Sequence, residues 1–154
     1  MEGALRAVFA VAHVAFALLY VTGYLSTGTL TQFARRARTV EERNALLALS
    51  GRFDFLYQIP FGTLVGISGL LLIMANGYSL SQRWVWLSIV LYAVVVVIGA
   101  GVWRRFSMRV RAAQEAGDDA RVLALLGDAR VEALRWIERA LVVAVVVLMV
   151  LRPL

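Results

Sequence analysis

Four stretches of this chain run unusually far without a charge. No charged residue stands between Arg6 and Arg35, between Asp54 and Arg83, between Arg83 and Arg104, or between Arg139 and Arg152. Hydrocarbon cannot satisfy a bare backbone N–H or C=O, so a segment that crosses a bilayer must bond its backbone internally. A helix does this with about 20 apolar residues. The first three stretches reach that length, and the fourth, 140–151, has twelve residues. The chain is 61% hydrophobic and 17% charged, whereas a soluble domain sits near half and a quarter. The fold class is therefore all-α, a four-transmembrane-helix bundle forming a single transmembrane domain over 1–154. Its spans are about 5–30, 53–75, 84–103 and 133–152. The last begins ahead of its apolar run and carries Arg135, Glu138 and Arg139 to the boundary, where long side chains reach back to water. The first span is too long for a signal-peptide core and no small-residue cleavage site follows it, so it is read as a retained helix.

Two polar connections separate the spans into pairs. In 31–51, Thr39 stands three residues before Glu42, which predicts a capping box and a short helix through Leu49. In 104–135, Gly117 interrupts and Asp118 or Asp119 is placed to cap an amphipathic helix with Val122, Leu125, Leu126 and Ala129 on one face. Pro60, inside the second span, predicts a kink or a freed carbonyl near Leu56. Asn76-Gly77 predicts a tight turn. Trp84 and Trp103 bracket the third span, as tryptophans at the two headgroup levels do.

All 16 basic residues are arginine. Thirteen lie in or beside the two polar connections; Arg6, Arg83 and Arg152 lie at the other ends. Positive charge concentrates on the cytoplasmic side, so the two amphipathic segments are expected in the cytoplasm and both termini outside, in a bacterial inner membrane. The net charge of +6 is accounted for by this orientation signal, and no nucleic-acid partner is inferred. A shift of 78 residues brings Arg43 onto Arg121, Arg52 onto Arg130, Asp54 onto Glu132, Leu56 onto Leu134, Ile59 onto Ile137 and Gly23 onto Gly101. This suggests a tandem repeat of two-helix halves.

The chemistry available is narrow. With no cysteine, no lysine and one histidine, thiolate sites, Schiff bases and multi-histidine zinc sites are excluded. His13 lies inside the first span, where an ionisable residue is a functional-site candidate. It admits two readings: a neutral side chain bonded to a hydroxyl at its depth (Ser68, Ser88 or Tyr92), or a haem ligand. Gly62, Gly66 and Gly69 share one face of the second span. They serve either close helix packing or one wall of a flat cofactor pocket completed by Ser88 and Tyr92. Arg52, Asp54, Glu138 and Arg139 form a band of interface charges, suited to pairing between helices or to an anionic partner.

His13, Tyr20 and Gly23 give His-x6-Tyr-x2-Gly; Pro60 and Gly69-Leu70 give Pro-x8-Gly-Leu; Trp84 opens the third span. Over about 5–103 the chain resembles small bacterial four-helix membrane proteins of unknown function. More distantly it is similar to the membrane-bound protoporphyrinogen oxidase of haem synthesis and to copper-resistance D membrane proteins. The oxidase resemblance implies haem b, with His13 as an axial ligand. It also implies a lysine four residues after the tryptophan of the third span, where this chain has Ser88. Met74 and Met149 lie too near the outer ends to replace it, so a haem here would be five-coordinate. Copper finds no soft ligand cluster. The leading expectation is a small integral membrane protein without catalysis or cofactor, an accessory or structural subunit. Its partners are the lipid bilayer and either further copies of itself or a larger membrane complex. The alternative is a haem-binding redox protein using His13. A small transporter of tandem halves is a third.

Overall fold

The computed structural model describes residues 2–151. Its secondary structure is helical: α1 (Glu2–Arg36), α2 (Val40–Phe53), α3 (Ile59–Asn76), α4 (Arg83–Val97), α5 (Arg104–Glu115), α6 (Asp119–Leu126) and α7 (Ala129–Leu151), with π-helical turns at Asp54–Gln58 and Ile98–Trp103. The chain divides into two compact units, Met1–Ser79 and Leu80–Leu154, at a boundary close to the 78-residue shift seen in the sequence.

In the first unit α1 packs along α2 and α3, which follow each other without a break as one helix, Val40–Asn76. Thr39 caps this helix, its Oγ1 accepting from the Glu42 N–H at 3.1 Å. The Glu42 carboxylate reaches back one residue beyond the cap, to the Arg38 N–H at 2.9 Å. The helix ends at Gly77, whose φ of 65° is left-handed. Gly77 N–H bonds the Met74 carbonyl and Tyr78 N–H bonds that of Ile73, so the orphan carbonyls of the last turn are satisfied.

In the second unit α4 and α5 form one helix, Arg83–Glu115, so the polar connection begins helically rather than at Trp103. Gly117, with φ 66°, closes it by the same pattern of bonds. Asp118 caps α6, accepting from Arg121 N–H at 2.9 Å. α6 folds back on α5, burying Val110, Ala113, Val122 and Leu126, and α7 packs on α4. Each unit is thus a long helix, a capped shorter helix and a returning helix. In the first unit the last two are fused; in the second they break at Gly127-Asp128.

Among the described residues, three helices are long and apolar enough to cross a membrane: Gly3–Arg36, Val40–Asn76 and Arg83–Glu115. α7 has 23 residues, but Arg135, Glu138 and Arg139 interrupt its apolar character. The buried apolar side chains are few and small, such as Ala34, Val65 and Val85. Many apolar side chains face outward instead: Val11 is 70% exposed, Met74 77% and Val97 69%. In water such a surface would aggregate; facing lipid tails it costs nothing.

Pro60 shapes the first unit more specifically than a kink. Proline has no N–H for the Leu56 carbonyl, and its ring crowds that carbonyl. The ladder widens just before it, Ile59 N–H bonding the Asp54 carbonyl five residues back. The bulge presses on α1 at Gly23. A Cβ there would lie 2.6 Å from Tyr57 Cβ and 3.1 Å from Gln58 N. Its counterpart in the repeat, Gly101, has nothing within 4 Å. Gly23→Ala is therefore expected to destabilise the protein by about 1–3 kcal/mol, as overpacking against backbone does. Gly101→Ala should leave it unchanged or slightly stabler. Thermal unfolding of both variants in the same detergent checks the contrast, and equal midpoints would contradict it.

Candidate functional sites

Along the first unit, α1 closes on the returning helix like a zipper. His13 Nδ1 lies 3.0 Å from Ser68 Oγ. The Ser68 hydroxyl donates its one proton to the Leu64 carbonyl at 2.6 Å, so toward the imidazole it accepts. With the hydroxyl so oriented, Nδ1 carries the proton and Nε2 the lone pair; the Val65 carbonyl belongs to the same group, 3.2 Å from Ser68 Oγ. The imidazole packs over Gly69, its Cε1 3.2 Å from where a Cβ would stand. Two turns along, the Tyr20 ring covers Gly62, 3.3 Å from where a Cβ would stand. Phe16 and Phe61 pack at 6.1 Å beside them. Gly66 is half-buried. At the arginine-rich end the seam turns polar: Thr31 Oγ1 lies 3.3 Å from Ser50 Oγ, which also donates to the Thr27 carbonyl, and Arg43 is buried.

In the second unit, Ser88 is buried on α4 and donates to its own helix at the Trp84 carbonyl, 2.7 Å away. Tyr92, one turn on, is half-buried. The dominant feature is a charged cluster at the arginine-rich end. Glu138, 2% exposed, accepts from Trp103 Nε1 at 2.7 Å. The Arg135 guanidinium lies over the same indole, 5.5 Å from the ring centroid, and 3.8 Å from Glu132. Arg139 sits over Trp136 at 4.7 Å. Of the four interface charges expected to act together, Arg52 is exposed and Asp54 lies half-buried in the π turn. Glu138 and Arg139 each engage an indole.

The structure therefore joins His13, Ser68 and Gly69, and joins Glu138 with Trp103. Sequence reasoning missed Arg135 as a packed side chain, and it missed the Thr27–Thr31–Ser50 group. Thr27 and Thr31 stand four residues apart on one face of α1, and that spacing was the available signal. No group of three or more His, Cys, Asp or Glu side chains is placed to hold a metal ion among the described residues.

A buried carboxylate loses most when a donor is removed from it. Trp103→Phe keeps the ring and deletes the N–H, and is expected to cost about 1.5–3 kcal/mol, the range for hydrogen bonds to charged groups. Glu138→Gln retains an acceptor and should cost less. Unfolding midpoints of the two variants test this ranking, and a reversed order would count against the indole–carboxylate bond.

No curated protein and no solved structure matches the chain. A family model described as "Predicted integral membrane protein (DUF2269)" matches residues 7–153, across both units. The chain belongs to this family of integral membrane proteins of unknown function.

Proposed function

We propose that this protein is a non-catalytic scaffold of a bacterial inner membrane, an accessory or structural subunit built from two helical pairs. α7 serves as the fourth span. Its 23 residues rise about 34 Å, enough for a hydrocarbon core of about 30 Å. The stacking of Arg135 and Arg139 on tryptophans eases its charged turn through the interface. The arginine-rich ends, with α2, α5 and α6, lie in the cytoplasm and both chain ends lie outside. A second copy or a larger membrane assembly meets the outward apolar surface.

The observation that carries this reading is the closure of the α1–α3 seam by the chain's own rings. Imidazole and phenol stand over Gly69 and Gly62, 3.2 and 3.3 Å from where a Cβ would be, so the glycines serve helix approach.

The second reading is haem b on His13. It is favoured by one observation, the Nε2 lone pair left by the Ser68 bond, an arrangement that also orients metal-ligating histidines. The seam does not fit the group: a porphyrin against α3 would have to displace both rings from their glycines.

The protein is therefore expected to purify colourless in mild detergent from cells supplied with haem, and His13→Ala should lower thermal stability without changing the visible spectrum. A Soret band that disappears in His13→Ala would overturn the scaffold reading.

A further inference from the structure

The charged turn of α7 carries two donors that nothing in the chain accepts. Arg139 is half-buried and lies over the Trp136 indole, 4.7 Å from the ring centroid. Among the described residues its guanidinium makes no ion pair or hydrogen bond, and the Trp136 N–H makes none either. This combination distinguishes Arg139 from the other arginines. Arg43 and Arg135 are buried and engaged. Arg104, Arg105 and Arg130 also lack a partner, but they are exposed, and no ring among the described residues orients them. The carboxylates of the same stretch are taken, Glu138 by the Trp103 N–H at 2.7 Å and Glu132 by Arg135.

The Glu138–Trp103 bond also sets the level of this turn. Trp103 is of the residue type that marks the headgroup layer, and Arg139 follows Glu138 directly. Helical side chains lean toward the N-terminal end of their helix, so Arg139 reaches back over Trp136 toward the headgroups. Trp136 is 61% exposed. Beyond it Ala140, Val143 and Val147 continue along the same face at helical spacing, and all three are exposed. From Trp136 to Val147 the helix rises about 16 Å, close to half of a hydrocarbon core of about 30 Å.

We propose that this turn holds the phosphate of an anionic phospholipid from the leaflet on the arginine-rich side. The Arg139 fork and the Trp136 N–H bind the phosphate oxygens, and an acyl chain runs along Ala140, Val143 and Val147. Both free groups are donors and both nearby carboxylates are engaged, so the site offers nothing to the ammonium of a zwitterionic headgroup. The inference rests on α7 as the fourth span, and not on what meets the rest of the outward surface.

The test is native mass spectrometry of the full chain, released from mild detergent with equal amounts of phosphatidylglycerol and phosphatidylethanolamine of the same acyl chains. Preferential retention of one phosphatidylglycerol is expected. Arg139→Ala should lower it about fivefold, the effect of one basic residue at an anionic surface. Trp136→Phe keeps an exposed ring, deletes the N–H and should lower retention by a similar factor. Arg104→Ala removes an exposed arginine near the same level and should leave retention unchanged. Equal retention of both lipids overturns the proposal. So does a loss in Arg104→Ala equal to that in Arg139→Ala, because diffuse charge would then suffice. Excess inorganic phosphate should not displace the lipid, and displacement overturns the headgroup in favour of a free anion. The span is checked separately. The chain has no cysteine, so Leu151→Cys gives a single site for an impermeant maleimide in spheroplasts. Labelling from outside with equal retention of the two lipids overturns the lipid site and leaves the fourth span standing. Labelling only after the cytoplasmic side is opened overturns both.

Discussion

The meeting of Gly23 with the π turn before Pro60 is the constraint on which the first unit rests. Pro60 withdraws a donor from the middle of a 37-residue helix, in surroundings where an unmatched carbonyl is costly. The helix answers by widening to the i+5 bond from Ile59 to Asp54. That bulge projects toward α1, and only a residue without a side chain leaves room for Tyr57 and the Gln58 backbone. Once the two helices touch there, the contacts on either side are set. Toward the arginine-rich end Thr27 and Thr31 meet Ser50. Toward the other end Tyr20 meets Gly62 and His13 meets Ser68 and Gly69. His13 is held by a seam whose register is fixed ten residues away.

The second unit follows the same plan with different chemistry. Its π turn lies in the first long helix, at Ile98–Trp103, rather than in the returning one. It contains two glycines, and Gly101 makes no close approach. The turn ends on Trp103, whose indole faces Glu138 and Arg135. Where the first unit joins its helices by ring against glycine, the second joins them by indole against carboxylate and guanidinium. A repeat of similar elements has thus been filled with unlike contacts. This is why the 78-residue shift keeps apolar and charged positions but neither the caps nor the bulges: Thr39 and Asp118 stand one residue out of that register.

The membrane class, the places of the helices and the two caps were legible because each depends on neighbours in sequence: uncharged runs, a hydroxyl or carboxylate three residues before a free N–H, a glycine at a left-handed position. Pro60 announced a disturbance but not its form, since a kink and a widened turn both satisfy a missing donor. The pairing of His13 with Ser68 was one of three hydroxyl options that depth alone left equal; the register that selects Ser68 comes from Gly23. The helices outrun the apolar stretches that mark them in the sequence. α1 runs to Arg36 and α5 to Glu115, because a helix that has crossed a membrane continues into water at little cost when its outer turns are arginine-rich.

The absence of lysine bears on this second unit. Arg135 and Arg139 each place a guanidinium over an indole, a contact that a planar, weakly hydrated guanidinium makes better than an ammonium. Such stacking lets a charged turn of α7 stand beside Trp103 and Trp136 without giving up its charge. Glu138 is buried on the same turn and accepts from the Trp103 indole N–H at 2.7 Å. A lysine at 135 would keep the formal charge and lose the fork and the face. The charged turn that keeps α7 from reading as a plain membrane span is, in the folded unit, what joins it to Trp103 of the preceding long helix.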